Sequence, residues 1–339
     1  MQPSPSDDDR VTHLRMDKIL GKGLEMEKKR VLVTGAAGFI GRYTAREYHA
    51  NGYYVVGIGH GTPDSTEAEA WGIDEWHSAA VDMDSLQSYA SDVSLIVHCA
   101  GSGSVGFSVM NPMNDFERTV WTTHYVLEYI RILSPKTRLL YPSSAAVYGT
   151  QETIPLTTDM TPNPISPYGV HKNIVEELCV MYAKQYGVRA AVLRLFSVYG
   201  AGLKKQLLWD ACSKLSQGGN TFWGTGEETR DWVHVSDVAK AFLEAGEKAS
   251  PECPVVNVGS GQAVKIKDIL GMLFEAYGTR ERPSFGGEIN VGNPSHYVAD
   301  IGVITAWGWV PSMDLAQGIE DYVRWYKAHD KGGVPAQSR

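Results

Sequence analysis

A short apolar run followed at once by three evenly spaced glycines limits this chain more than any other feature. Val31-Leu32-Val33-Thr34 reads as a buried strand. Gly35-Ala36-Ala37-Gly38-Phe39-Ile40-Gly41 follows it and opens an amphipathic stretch from Phe39 to Asn51 that Gly52 closes. In this context Gly35 permits a tight turn, Gly38 lets a pyrophosphate approach the backbone, and Gly41 lets the helix pack close to the strand. The helix start adds free N–H groups and a partial positive charge. The spacing is G-x-x-G-x-x-G rather than G-x-G-x-x-G. A chain that begins its domain this way is committed to a strand–turn–helix that binds a dinucleotide.

The rest of the chain agrees with that start. Apolar runs at Tyr53–Ile58, Leu95–Ala100, Arg138–Pro142 and Ala190–Leu195 alternate with helical stretches at Pro112–Leu133 and Tyr168–Tyr186. Continuous apolar strands between helices imply a parallel sheet covered on both faces. The expected fold is therefore α/β, a Rossmann-type doubly wound parallel sheet over residues 29–200. Beyond Tyr199 the rhythm loosens, with short strands at Val255–Val258 and His296–Ala299 and helices at Ser236–Lys248, Lys265–Tyr277 and Leu315–Ala328. That pattern predicts a smaller, mixed substrate lobe over 201–330, with Arg282–Gly287 as a loop. Residues 1–28 and 331–339 read as tails.

Composition narrows the partners. Among 339 residues, 31 Lys and Arg against 39 Asp and Glu give a net charge of −8, which argues against nucleic acid or an anionic membrane as the main partner. No run approaches the roughly 20 apolar residues of a spanning helix, and the polar start is no signal peptide, so the expected location is the cytoplasm. Cys99, Cys179, Cys212 and Cys253 are far apart, and no His-x-x-x-His pair occurs, so no metal is predicted.

The second strand sets the choice of dinucleotide. NAD sites usually end it with an acidic residue on the adenine ribose. Here Val55-Val56-Gly57-Ile58-Gly59-His60 ends without one, and Arg42 and His60 are available to a 2′-phosphate. This leans the cofactor, NAD or NADP, towards NADP, although a solvated cation at the helix start is the plain reading of Arg42. Asp82 is placed either to accept from the adenine amino group or to cap a helix.

Tyr168 and Lys172 stand four apart, on one face of a helix that Pro167 suits as a start. An ammonium beside a phenol lowers its pKa from about 10 and lets it move a proton to or from a carbinol. Ser144 follows the strand at Leu139–Tyr141, where a hydroxyl enters the ligand crevice of an open sheet and can bond the reacting oxygen.

Together these features resemble the extended short-chain dehydrogenase/reductase family, in particular its nucleotide-sugar epimerases and 4-ketosugar reductases. The resemblance runs from about Lys29 to Tyr326. It includes His98-Cys-Ala-Gly101, Ser143-Ser144-Ala-Ala-Val-Tyr148-Gly149, Arg194-Leu-Phe-Ser197-Val-Tyr-Gly200, Arg230-Asp-Trp-Val-His-Val-Ser-Asp237 and Ala306-Trp-Gly-Trp-Val-Pro311. It implies that Ser144, Tyr168 and Lys172 are catalytic. It implies that Gly35, Ala37, Gly38, Phe39, Ile40, Gly41, Asp82, Met83, Ala100, Tyr168 and Lys172 meet the cofactor, with Lys172 on the nicotinamide ribose. Ser102, Ser144, Ser197, Arg230 and Asn290 are implied at the substrate. An epimerase returns the hydride to the other face of a transient ketone, whereas a reductase consumes NADPH. Epimerase ranks first and ketoreductase second. The family's dehydratases carry Asp-Glu after the Ser/Thr, where this chain has Ala145-Ala146, so dehydration ranks lower, as does a non-catalytic dinucleotide sensor.

Several positions depart from the family pattern. Thr119 stands for the usual asparagine of its helix, Ser197 for the asparagine of Arg-x-x-Asn, and Asn290 for a second diphosphate-binding arginine. An amide holds phosphate less well than an arginine fork, and Lys204 or Lys205 is available to compensate. His171 is expected on another helix face, exposed. Trp223, Trp232, Trp307 and Trp309 are assigned to the smaller lobe, as packing or as a sugar-site lining. In the resembled family the two long helices meet their twins, so a homodimer is expected.

Overall fold

The computed structural model describes residues 28–61, 63–287 and 296–329. The expected tails at 1–27 and 331–339 and the position Asn290 lie outside them.

Six strands, β1 (Arg30–Thr34), β2 (Tyr54–Gly59), β3 (Glu75–Ser78), β4 (Val93–His98), β5 (Arg138–Ser144) and β6 (Arg189–Leu195), join Val255–Val258 in one seven-stranded sheet. Its order is Val255–Val258, β6, β5, β4, β1, β2, β3, and every pairing is parallel. Strand order reverses at β1, which lies between β2 and β4, so a crevice opens at the carboxyl ends of β1 and β4. The glycine-rich turn leaves β1 into that crevice.

The strands are apolar throughout because both faces are buried. On one face the helices Phe39–Ala50 and Val235–Gly246 close over Val31, Val33, Val55, Leu140 and Leu193. On the other, Met83–Tyr89, Thr122–Leu133 and Pro167–Tyr186 close over Leu32, Val56, Ile96, Leu139 and Val192. A third apolar cluster joins Gln206–Ser216, Ile266–Tyr277 and Leu315–His329 beyond the sheet.

Four expectations change. Residues 112–133 are not one helix: Pro112–Phe116 leads into a π turn, Glu117–Trp121, before Thr122–Leu133. Here Thr122 and Thr123 donate their hydroxyls to the carbonyls of Arg118 (2.6 Å) and Thr119 (2.7 Å), competing with regular backbone bonds. His296–Ala299 is not a strand but makes isolated bridges, Thr229 to His296 and Leu156 to Ala299. The loop at 282–287 includes a two-residue strand, Ser284–Phe285, paired with Thr221–Phe222. Finally, Val235–Gly246 and Val255–Val258, read as lobe elements, complete the main sheet and its cover. Trp309 is buried in that same core with Trp307 packed on it, and its indole donates to Asp237 O at 2.9 Å. Trp223 is 77% exposed.

Candidate active site

The cradle is a backbone structure. Gly35 adopts φ +65° and donates to Ile58 O (2.6 Å), and Gly38 donates back to Gly35 O (2.8 Å). A Cβ on Gly41 would collide with the Gly35 carbonyl, and one on Gly35 would press on Ala100. Gly38 serves as N-cap without a side-chain bond, so the N–H groups at the start of Phe39–Ala50 face the crevice unclaimed. Ala37, Phe39 and Ile40 are half-buried around it. Below the cradle, Thr34 Oγ1 pairs with His98 Nδ1 (2.7 Å) and accepts from Ala100 N (3.1 Å). Burial and the Lys172 charge push His98 down to about 3, so it is neutral. Thr34 and His98 fix the end of β4 against the cradle. The sequence reading missed Thr34, whose only signal is its place before Gly35.

Further along the crevice, Arg42 reaches the loop at Gly202. Its guanidinium occupies the space where a Cβ on Gly202 would stand, while His60 is exposed at the end of β2. Asp82 caps Met83–Tyr89, accepting from Ser85 N at 2.8 Å in a capping box; Met83 is half-buried beside it.

Three elements converge beyond the cradle. Ser144 ends β5, and its hydroxyl stands near the Tyr168 phenol, whose ionisation it favours. Ser166 caps Pro167–Tyr186 by accepting from Gly169 N, and Tyr168 N donates to Ser108 Oγ (3.0 Å). Gly169 lets that helix start lie against the turn after Ser144, since a Cβ there would strike Ala146 O. Lys172, one turn on and buried, donates from Nζ to Pro142 O (2.8 Å); this ammonium stands 4.7 Å from the Tyr141 ring centre and 5.8 Å from that of Tyr168. The sequence reading had no signal for Ser108 or Gly169.

The electrostatics differ from expectation. Burial raises the Tyr168 phenol above 10; the Ser144 hydroxyl opposes this and Asp115 adds to it. Burial pulls Lys172 down to about 8, against Cys99, Asp115 and Glu176. Desolvation outweighs the ammonium in this closed site. His171 is the other correction: it is buried, and its Nδ1 lies 2.6 Å from Asp115 Oδ2.

The opposite wall is made of short strands, Ser197–Tyr199 and Thr229–Arg230, and the loops beside them. Arg230 donates to Thr229 O (2.8 Å), and its guanidinium stands 5.7 Å from the Tyr297 ring centre; burial lowers its pKa. The next residue, Asp231, is fully buried and gathers Ser260 N, Gly261 N and Ala299 N, which ties the loops around Arg230 together. Ser197 is half-buried and donates its N–H to Asp231 O. Across the mouth, Lys205 Nζ reaches Gly103 O at 2.9 Å, next to the half-buried Ser102, whose N–H is 3.4 Å from Thr119 Oγ1. Hydroxyl, phenol and ammonium on one side and a guanidinium on the other can hold a polyol and move a proton at one of its oxygens.

Residues 31–259 match the NAD dependent epimerase/dehydratase family. A putative UDP-glucose 4-epimerase of Methanocaldococcus jannaschii is 30% identical over 315 residues, covering 89% of this chain and 99% of that protein. A UDP-glucose 4-epimerase of Rhizobium meliloti is 26% identical over 91% of this chain and 100% of its own length. Among solved structures, a UDP-glucuronic acid 4-epimerase from Bacillus cereus, in complex with UDP-glucuronic acid and NAD, superposes with TM-score 0.79. It is 25% identical, over 88% of this chain and 99% of that one.

Proposed function

The chain belongs to the NAD-dependent epimerase/dehydratase family, and on that premise we propose that it is an NAD(P)-dependent epimerase of a nucleotide-activated sugar, with Tyr168 as its acid/base. The observation that carries the reading is the meeting of Ser144, Tyr168 and Lys172 beside a glycine cradle that side chains cannot enter.

The unclaimed helix N–H groups and Gly38 suit a pyrophosphate, and Lys172, with two ammonium protons beyond its bond to Pro142, suits ribose hydroxyls. When bound, a nicotinamide supplies a reversible hydride acceptor. Tyr168 takes the proton of the reacting hydroxyl and returns it when the ketone is reduced from the other face. Ser144 shares its hydroxyl between the phenol and that oxygen. Lys172 holds positive charge near the phenolate as it forms. Arg230 is placed for the diphosphate. Ala145 and Ala146 follow Ser144 and carry no acid or base for dehydration.

The two finer points are cofactor and assembly. The Bacillus cereus relative holds NAD, so NAD is the cofactor to load first. Trp121, Tyr125, Val170 and Met181 are exposed on the two helical segments expected to pair, which supports a homodimer; light scattering reads its mass. The test of function is incubation with NAD and UDP-glucose, UDP-glucuronate or UDP-N-acetylglucosamine, resolved by chromatography. A 4-epimer formed with no net absorbance change at 340 nm supports epimerase. Mole-for-mole loss of NADPH with a 4-ketosugar and no epimer would make it a reductase.

A further inference from the structure

Asp115 ends the short helix Pro112–Phe116 and is wholly buried. Its Oδ2 meets His171 Nδ1 at 2.6 Å, and its Oδ1 is buried with no hydrogen-bond partner among the described residues. A carboxylate with one oxygen unanswered is costly in a protein interior. Its partner is placed tellingly: His171 lies between Tyr168 and Lys172 in the chain, and its ring packs edge-on against Phe116. The couple therefore joins the helix that carries the proton-transfer pair to the segment that enters the π turn, where Thr119 reaches Ser102.

The charged and titratable groups around Asp115 can be taken element by element. On Pro167–Tyr186 they are Tyr168, His171, Lys172 and Glu176; on β5, Tyr141; at the end of β4, His98. On its own segment Glu117 and Arg118 are exposed. Glu176 is answered by the Arg194 fork (2.8 Å at Oε2) and by the Ser143 hydroxyl. His98 is neutral. Among the described residues the ion-pair partner of Asp115 is His171. The charge of Asp115 bears on Tyr141, Tyr168 and Lys172 alike, opposing ionisation of both phenols and favouring the ammonium.

We propose that Asp115, held by His171, is a positioning residue that sets the charge balance of the Tyr168–Lys172 pair. The couple tethers the helix start and places one fixed anion beside a phenol that must ionise and an ammonium that must not lose its proton. The inference rests on the reading of Tyr168 and Lys172 as the proton-transfer pair.

The test is the pH profile of kcat/KM for D115N, with melting temperature and cofactor loading measured on the same preparation. Asparagine keeps the shape and removes the charge. Phenol and ammonium then both lose protons more readily, so both limbs move to lower pH, by about one unit. Limbs that stay in place while the rate and melting temperature fall would make Asp115 purely structural and overturn the proposal. Should D115N not fold, H171L serves: it removes the donor, leaves the anion unanswered, and moves both limbs to higher pH. Unmoved limbs there would also overturn it. Undiminished turnover by Y168F would instead defeat the underlying reading, whatever the limbs do.

Discussion

The two walls of the cleft are made of different materials. The dinucleotide wall is backbone: Gly35, Gly38 and Gly41, a helix N-terminus, and Thr34 and His98 bonded inside the sheet. The substrate wall is side chains on two short strands and a helix start: Arg230 and Ser197, beside the buried Asp231, and Lys205 bonded to Gly103 O. A wall of backbone depends on what is absent, since any Cβ spoils it. A wall of side chains depends on reach, so it changes one residue at a time without touching the fold. The Pro167–Tyr186 helix stands between the two and belongs to neither.

That contrast can be broken at either wall. G41V has the largest expected effect. Its side chain has no room against the Gly35 carbonyl, so bound cofactor and all turnover should vanish and the protein should melt earlier; isothermal titration with NAD reads the first. Y168F comes next, with turnover down roughly 10²–10⁴-fold and cofactor binding kept. Equal loss of binding would mean the phenol is part of the first wall after all.

The pH dependence belongs to the helix between the walls. Lys172 titrates at about 8, against 10.5 for an ordinary lysine. With the ammonium titrating at about 8 and the phenol above 10, the phenolate–ammonium pair reaches its plateau between the two, so the rate profile should rise towards about 8 and fall only above the phenol's value. Stability has its own sign. Between about 8 and 10.5 the unfolded chain holds this proton more tightly than the folded one, so the contribution of Lys172 to stability improves as pH rises through that window. In K172M melts should lose that upward trend.

The same division explains what could be read from the chain. The first wall was legible because glycine spacing after a strand is a backbone requirement written in residue types. So was the Tyr168–Lys172 face, because four residues make a helical turn. The two errors around it have one origin. His171 and the direction of the phenol's pKa depend on how deeply two helices bury each other, and no local pattern reports that depth. Arg42 shows the same limit: its position at the helix start is visible in sequence, but the loop at Gly202 beside its guanidinium arrives from 160 residues further on. Val255–Val258 was placed in the wrong body because a four-residue, valine-rich strand looks alike at the edge of the main sheet and in a small lobe.

At the substrate wall R230A should raise KM by about ten- to a hundred-fold, the size of a charge-assisted contact, with kcat and melting temperature nearly unchanged. A matching fall in stability would put Arg230 among the supports of its loop, beside Asp231, rather than on the ligand.

The smallest effect probes the adenine end of the first wall. Asp82 uses Oδ1 for the cap of Met83–Tyr89, and only the rest of its carboxylate is left for an adenine amino group. D82A removes both roles and should cost about 1 kcal/mol of stability in denaturant melts. D82N separates them, because asparagine caps as well as aspartate does while its NH₂ group cannot accept. If D82N melts like the parent and binds NAD equally well, Asp82 is a cap alone, and the dinucleotide wall is backbone throughout. If it melts like the parent but binds more weakly, one carboxylate oxygen reaches the ligand and the contrast between the walls softens at the adenine end.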